Sequence, residues 1–148
     1  MNTTIHASAV LVGAKAVLIR GPASSGKSRL AFDLLEAGRQ GTLPFARLVG
    51  DDRVHVEGRH GHLLVKPAPV LAGLLELRGL GIRRLPYEPI AAVGLVVDLA
   101  AEDALRLPEP EALKCELAGV TLPRLPVGRD QISLPLVLGF LNTLPASD

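Results

Sequence analysis

The sequence predicts an α/β fold, because strand-like and helix-like segments alternate along the chain. SAVLVG and AVLIR are short apolar runs separated by GAK, a pattern typical of two buried strands joined by a turn. A glycine-rich stretch follows, and then apolar residues recur at helical spacing over 27–37, with Gly38 placed as the C-cap. AAVGLVVDLA is the most continuous apolar run, and we expect it to form a central strand.

Four further elements complete the predicted fold. RVHVE and HLLVK alternate polar and apolar residues on either side of GRHG, which predicts a hairpin. A short helix is expected over 70–77, ended by the glycines that follow it. VTLPRLPVGRD is interrupted by prolines and predicts an extended segment at a sheet edge. Asp130 or Ser133 would cap a last helix through LPLVLGFLN, with Pro135 in its first turn.

The composition suits one globular domain and argues against a nucleic-acid partner. The 148 residues predict a single domain over 1–148, and 48% of them are apolar, enough for a substantial core. Basic and acidic residues are interspersed, and the formal net charge is +1. With three Phe, one Tyr and no Trp, few rings are present on which bases could stack. Nucleic-acid binding needs a concentrated positive face or such stacking platforms.

The N-terminal segment is apolar but does not fit a secretion signal. It lacks a leading basic stretch and Lys15 interrupts it, so we expect strands there. No uncharged apolar run reaches the length of a membrane span, which predicts no membrane partner. The single cysteine, Cys115, excludes an internal disulfide and a cysteine-rich zinc site. We therefore expect a cytoplasmic protein.

GPASSGKS matches the phosphate-binding pattern G-x-x-x-x-G-K-[ST] and lies between a predicted strand and a predicted helix, as that pattern requires. In such a loop the glycines let backbone N–H groups surround the phosphates, Lys27 reaches the outer phosphates and Ser28 can bind Mg²⁺. The alternative is a chance glycine turn with an exposed lysine. We expect ATP or GTP to bind through the residues of this motif: Gly21, Pro22, Ala23, Ser24, Ser25, Gly26, Lys27 and Ser28.

Asp51 and Asp52 follow an apolar run, as an acidic residue does beside the phosphate loop in many nucleotide hydrolases. One carboxylate would approach the metal through water while the other accepts a hydroxyl proton. The alternative is an ordinary Asp-rich turn between strands. The spacing does not assign the two roles.

Four more side chains are candidates on weaker local signals. Glu76 would be a hard oxygen ligand for Mg²⁺, and Arg78 a bidentate partner for phosphate. A solvated helix face would also explain this pair of polar residues. Arg129 is a lone arginine, usually a surface residue. His6 precedes the first apolar run and is either a titrating active-site residue or part of a frayed terminus.

Together and in order, His6, GPASSGKS, GDDRV, LLELRGLGI and PRLPVGRD resemble the catalytic domain of the HPr kinase/phosphorylase family. The resemblance extends from about residue 5 to residue 132, and LELRGLGI is its most specific part. It implies a phosphate-loop-containing fold like that of phosphoenolpyruvate carboxykinase, a mixed β-sheet core with flanking helices. It also implies transfer of the ATP γ-phosphoryl group to a serine of HPr, the small phosphocarrier of the sugar phosphotransferase system. Members also run a reverse phosphorolysis, and they typically assemble as hexamers.

The resemblance also implies roles for individual residues. Lys27 and Ser28 would hold phosphates and Mg²⁺, Glu76 would be the second metal ligand, and the pair Asp51 and Asp52 would supply the base.

Three more residues match positions of the family's motifs. Arg129 resembles the family's catalytic arginine, and Arg78 belongs to a stretch needed in both directions of the reaction. His6 matches the active-site histidine, although Ala7 follows it where the family has glycine.

Three departures from the family pattern are visible. The long N-terminal domain is missing, RQGTLPFA lengthens the link to the aspartate pair, and the chain ends soon after VLGFLN, before the family's usual final loop and helix. We therefore expect the kinase reaction more than the phosphorylase reaction. Two alternatives are a nucleotide-binding sensory module without phosphoryl transfer and a small-molecule kinase or NTPase.

Overall fold

The computed structural model describes residues 2–146. The strands of this part are β1 (Asn2–Ile5), β2 (Ala7–Val12), β3 (Lys15–Arg20), β4 (Ala46–Gly50), β5 (Val54–Arg59), β6 (His62–Pro67), β7 (Leu74–Leu77), β8 (Gly81–Arg84), β9 (Ala91–Leu99), β10 (Lys114–Leu117) and β11 (Val120–Val127). The α-helices are α1 (Lys27–Arg39) and α2 (Ser133–Asn142).

A nine-stranded mixed sheet organises these elements, with β9 at its centre. The order is β1-β5-β6-β9-β3-β2-β4, and β11 pairs with both β9 and β10. β9 runs parallel to β3 and β11 but antiparallel to β6. β7 and β8 form a separate two-stranded sheet. This large mixed sheet with few helices confirms the predicted fold class.

The parallel pairing of β3, β9 and β11 determines where loops meet. Arg20 lies opposite Asp98, and Val127 lies opposite Leu99. Since parallel strands end at the same edge of a sheet, the segments that follow β3, β9 and β11 lie side by side. The glycine-rich segment is one of them.

Two apolar clusters hold the sheet in place. The first packs α1 and α2 against one face and includes Leu30, Leu34 and Val137. The second joins β3 and β9 to β5 and β6 on the other face and includes Leu18 and Leu63. A fully buried leucine of this kind contributes roughly 1.5–3 kcal/mol by leaving water.

Most predicted elements are confirmed. β2 and β3 form the antiparallel pair expected from SAVLVG and AVLIR, and β5 and β6 form the hairpin around His60 and Gly61. β9 is the central strand expected from AAVGLVVDLA. α1 begins at Lys27 and buries the predicted apolar face. The second half of β11, Arg124–Val127, pairs with β9 as an extended segment.

The prediction of a helix over 70–77 is wrong. A single 3₁₀ turn covers Pro69–Leu71, and residues Leu74–Leu77 form strand β7. Gly73 separates the two with a φ of 77°, a left-handed conformation that ends the turn. Leu75 is buried while Glu76 is exposed, so the apolar pattern here follows the two-residue period of a strand.

The prediction of Gly38 as a C-cap is also wrong. α1 continues to Arg39, and Gln40 is its C-cap. Gly41 has the left-handed conformation expected after a helix, with a φ of 83°. Gly38 has a different reason to be glycine, because a Cβ there would lie 2.7 Å from the Cβ of Ala46.

The start of α2 differs from the prediction as well. Neither Asp130 nor Ser133 caps the helix; the N-cap is Ile132, without a side-chain hydrogen bond. Gln131 instead accepts a 2.7 Å hydrogen bond from the Gly128 N–H through Oε1, which stabilises the preceding turn. Pro135 lies in the first turn, as predicted.

We expect Gly38→Ala to destabilise the protein by about 1–3 kcal/mol, because the added methyl group would overpack the contact between α1 and β4. The control is Gly139→Ala in α2, where nothing lies within 4 Å of the added Cβ. There alanine should stabilise the helix by up to about 1 kcal/mol. Urea denaturation of both variants measures the two effects. Equal effects of the two substitutions would contradict the packing explanation.

Candidate active site

Residues 21–28 form the phosphate loop, which connects the end of β3 to the start of α1. Gly26 precedes α1 with a φ of 102°, a left-handed conformation that favours glycine. A Cβ at Gly21 would lie 2.5 Å from Ser25 Oγ and 3.1 Å from Leu99 Cβ, so a larger residue does not fit. The geometry of the loop therefore requires both motif glycines.

Lys27 folds back over the phosphate loop. Its Nζ donates hydrogen bonds to the carbonyl oxygens of Gly21 at 2.8 Å and Pro22 at 3.0 Å. Within residues 2–146, Ser25 Oγ is buried without a hydrogen-bond partner. The loop thus presents an ammonium group and an unpaired hydroxyl group, both suited to phosphate oxygens.

Asp51 is the centre of the site and is only 4% exposed. Its carboxylate accepts hydrogen bonds from Ser28 Oγ at 2.8 Å to Oδ1 and 2.9 Å to Oδ2. Ser8 Oγ donates to Oδ1 at 2.5 Å, and the Glu76 N–H donates to Oδ2 at 3.3 Å. One buried carboxylate thus joins the phosphate loop, β2 and β7.

Asp52 has a different environment from its neighbour. Its side chain is exposed, and its φ of 67° is left-handed, a conformation that aspartate tolerates better than most residues. The chain therefore turns sharply between the two aspartates. The structure separates a buried, hydrogen-bonded Asp51 from an accessible Asp52, a distinction that the spacing did not provide.

The β7–β8 hairpin brings Glu76 and Arg78 to the same region. The Glu76 backbone is hydrogen-bonded to Asp51, while the Glu76 side chain is exposed. Arg78 donates from Nη2 to Ser24 Oγ in the phosphate loop at 3.2 Å. Both residues therefore lie at the loop, although they are carried by a strand and its turn and not by the expected helix.

His6 lies in the short connection between β1 and β2 and is exposed. On one side of it Ile5 is opposite Val54, and on the other side Ala7 is opposite Arg20. His6 is therefore next to the strand that enters the phosphate loop and the strand that follows the aspartate pair.

Arg129 follows β11 and is exposed. Val127 is opposite Leu99, which in turn lies against Gly21, so Arg129 is at the same sheet edge as the phosphate loop. Arg129 and Arg106 line an open pocket of about 360 Å³ at that edge. Arg129 therefore lies in the neighbourhood of the loop, and within residues 2–146 no hydrogen bond or ion pair joins its side chain to the loop.

An ion-pair network that was not predicted from the sequence lies next to the loop. Arg20 binds both oxygens of Asp98 at 2.7 Å, and Arg124 Nε donates to Asp98 at 2.5 Å. Arg124 also contacts Asp103 at 2.7 Å and the carbonyl oxygen of Ala112 at 2.9 Å. Burial alone would raise the pKa of Asp98, but the hydrogen bonds from both arginines outweigh it and hold that pKa below its usual range. The network links β3, β9 and β11 where the loop begins.

Ser8 was not predicted as a site residue either, although the sequence contains a signal for Ser8, Arg20 and Asp98. A hydroxyl or charged side chain within an otherwise apolar strand must find a buried partner. Ser8 in β2, Arg20 in β3 and Asp98 in β9 each fit that description.

The side chains at the phosphate loop fit Mg²⁺ bound together with a nucleoside triphosphate. Mg²⁺ in such sites is held by one or two carboxylates together with substrate phosphates. Ser28 and Asp51 supply hard oxygen atoms at the phosphate loop, and Ser25 Oγ is left unpaired there. Glu76, whose backbone is hydrogen-bonded to Asp51, carries a further carboxylate. Among residues 2–146, no group of three or more His, Cys, Asp or Glu side chains is arranged to bind a metal by itself.

The described part of the chain contains no helix that is both long and apolar enough to cross a membrane.

Known proteins are similar to this chain in fold or in part of the sequence. The Hpr(Ser) kinase/phosphatase from Coxiella burnetii superposes with a TM-score of 0.74 at 22% identity, covering 95% of this chain and 94% of that structure. The HPr kinase/phosphorylase of Streptococcus thermophilus (strain ATCC BAA-491 / LMD-9) is 41% identical over 82 residues, which are 55% of this chain and 24% of that protein. The HPr kinase/phosphorylase of Clostridium tetani is 37% identical over 85 residues, 57% of this chain and 26% of that protein.

The chain spans about a quarter of the length of these curated relatives. The family model described as the HPr Serine kinase C-terminal domain matches residues 1–86, more than half of the chain. That match includes the phosphate loop, the aspartate pair and the β7–β8 hairpin. This chain belongs to the HPr serine kinase C-terminal domain family.

Proposed function

We propose that this chain is an ATP- and Mg²⁺-dependent serine kinase whose acceptor is an HPr-like phosphocarrier protein. The observation that carries the proposal is the hydrogen bonding of buried Asp51 to Ser28 of the phosphate loop, beside an exposed Asp52. Asp51 can thus orient the residues of the metal site, while Asp52 is accessible to an acceptor protein. The names of the relatives, HPr kinase/phosphorylase, support this choice of acceptor.

In the proposed site, Ser28 and Glu76 hold Mg²⁺ and Asp51 orients Ser28. Bound Mg²⁺ neutralises charge on the outer phosphates, which phosphoryl transfer requires. Lys27 leaves the loop carbonyls to contact the same phosphates, because a phosphate oxygen is a stronger acceptor for an ammonium group than a neutral carbonyl. Phosphates on the loop also provide partners for the buried Ser25 hydroxyl.

Asp52 is the proposed general base. The acceptor serine oxygen forms a bond to the γ-phosphorus, the bond from that phosphorus to the bridging oxygen of ADP breaks, and Asp52 takes the hydroxyl proton. In the reverse phosphorolysis, an oxygen of inorganic phosphate forms a bond to the phosphorus of the phosphoserine, and the bond from that phosphorus to the serine oxygen breaks. Asp52 returns the proton to the serine oxygen, and pyrophosphate is the product. Only an accessible carboxylate can meet the serine of another protein, and Asp52 is exposed while Asp51 is buried.

Three further residues surround the proposed acceptor position. Arg78 is anchored to Ser24 and can contact a phosphate at the loop, and Arg129 lies at the same sheet edge. Both would stabilise charge on the transferring group. His6, next to the strand that enters the loop, is proposed as an accessory active-site residue.

The proposal includes a cytoplasmic homo-oligomer, as the family resemblance implies. Exposed apolar side chains on and next to α2, among them Ile132 and Phe140, support an interface between copies.

The test is transfer of labelled γ-phosphate from ATP to purified HPr-like carriers from the same organism. We expect label on a carrier serine, and Lys27→Ala should lower the transfer rate at least about 10²-fold because it removes a cation from the transferring phosphate. The matched control is Lys114→Ala, an exposed lysine of β10, which should leave transfer unchanged. Nucleotide binding without transfer to any carrier would overturn the kinase proposal in favour of a nucleotide-binding regulatory module.

A further inference from the structure

Ser8 is a buried polar residue with no place in the proposed reaction. It is 0% exposed and lies in β2 among apolar neighbours. Burying a hydroxyl group is costly unless it is hydrogen-bonded, and Ser8 Oγ donates to Asp51 Oδ1 at 2.5 Å. The contact joins residues 43 positions apart in sequence, so the fold brings them together.

The register of β2 and β4 explains how Ser8 and Asp51 come into contact. Ala9 pairs with Gly50, but Val10 pairs with Leu48, so Val49 is an extra residue that forms a β-bulge. A bulge re-aims the residues beside it. As Ala9 is opposite Gly50, the next residues on each strand, Ser8 and Asp51, lie next to each other at the end of the pair.

The hydrogen bonds on Asp51 are divided between its oxygens. Oδ1 accepts from Ser8 and Ser28, while Oδ2 accepts from Ser28 and the Glu76 N–H. Ser8 and Glu76 therefore hold the carboxylate from opposite ends and fix its rotation. The Ser28 hydroxyl group donates to both oxygens of Asp51, so its position depends on the rotation of that carboxylate.

We infer that Ser8 is a positioning residue for the Mg²⁺–nucleotide site: it orients Asp51, and Asp51 in turn orients Ser28 as a metal ligand. This inference rests on the proposed use of Ser28 to bind Mg²⁺, but it does not require that phosphoryl transfer follows. Residues that orient metal ligands typically change metal affinity about 10–100-fold when they are removed.

The experiment measures binding of a fluorescent ATP analogue during a Mg²⁺ titration. For Ser8→Ala we expect the Mg²⁺ concentration at half-saturation to rise about tenfold or more, with binding in the absence of Mg²⁺ unchanged. Ser8→Thr retains the hydroxyl group and should restore the Mg²⁺ dependence to within about threefold of the natural protein. The control is Thr4→Ala, which removes a surface hydroxyl bonded to His55 and should have no effect.

A double-mutant cycle makes the test specific. In an Asp51→Asn background, Ser8→Ala should cause no further change in Mg²⁺ dependence, since its effect passes through that carboxylate. If Ser8→Ala does not fold, Ser8→Cys replaces it, because the thiol is close in size but a weak donor.

Three results would overturn the inference. They are a Mg²⁺ dependence within twofold of the natural protein in Ser8→Ala, a full additional effect in the Asp51→Asn background, and nucleotide binding by the natural protein that does not respond to Mg²⁺. A natural protein that binds Mg²⁺ and nucleotide but transfers no phosphate to any carrier would contradict the proposed function and leave the inference on Ser8 standing.

Discussion

Asp52→Asn is expected to slow phosphoryl transfer about 10²–10⁴-fold while Mg²⁺-dependent nucleotide binding stays within a few-fold of the natural protein. The amide cannot accept the serine proton at neutral pH, so the step that needs a base is lost. Asp52 is exposed and contributes no buried contact, and its replacement by an isosteric residue should leave the fold intact. Single-turnover transfer to the carrier and equilibrium binding of the nucleotide measure the two quantities separately.

Asp51→Asn is the matched variant and should give the opposite pattern. Its carboxylate accepts hydrogen bonds from two hydroxyl groups and one backbone N–H, and an amide can accept at one of its two polar atoms only. We expect Mg²⁺-dependent binding to weaken about 10–100-fold. If Asp52→Asn weakened Mg²⁺ binding and Asp51→Asn mainly slowed transfer, the assignment of the two roles would be reversed.

Local patterns along the chain were sufficient to predict the phosphate loop and its flanking strand and helix. The conformation of Gly26 and the start of α1 depend on neighbours in sequence, so the motif contains the information that forms them. The pair Asp51 and Asp52 was found by the same means. The different roles of the two aspartates could not be predicted from local patterns, because the burial of Asp51 depends on a β-bulge and on Ser8, which is 43 residues away.

The wrong helix over 70–77 has a similar physical origin. A short apolar run bounded by glycine and proline is compatible with a helix or a strand, and which one forms depends on the segment that pairs or packs with it. Here β8 pairs with β7, and Leu75 is the only apolar side chain of the run that is buried. A charged residue in an apolar strand marks Arg20 and Asp98 as needing partners, but local reasoning could not pair them, since they lie 78 residues apart.

Asp98→Asn is expected to destabilise the protein by about 3 kcal/mol at pH 7, because it removes the carboxylate partner of Arg20 and one of the two carboxylates that bind Arg124. The side chains of Asp98 and Arg124 are 16% and 13% exposed, so solvent screens this pair much less than a surface pair. The control is Asp33→Asn in the exposed pair with Arg29 on α1, for which we expect a change below about 0.5 kcal/mol. Urea denaturation at pH 7 measures both variants.

The pH dependence identifies the charge of Asp98 as the cause. Its hydrogen bonds with the arginines lower its pKa in the folded state, so the folded protein binds fewer protons at this group than the unfolded chain does. The stabilisation is therefore fully present above the pKa of the unfolded carboxyl group, about 3.9, and is lost as the pH falls through the lower folded value. The deficit of Asp98→Asn should stay constant from pH 7 to about pH 5 and shrink towards pH 3.

A deficit that persists unchanged at pH 3 would show that the asparagine disturbs packing and not charge. The natural protein and Asp98→Asn should instead approach each other in stability there, since below about pH 3.9 the unfolded chain gains a proton at Asp98 that the folded protein, with its lowered pKa, binds less readily. Because Arg20 is followed directly by Gly21, Asp98→Asn should also make the start of the phosphate loop less rigid. Nucleotide affinity measured on the folded variant at pH 7 should therefore fall, while Asp33→Asn leaves it unchanged.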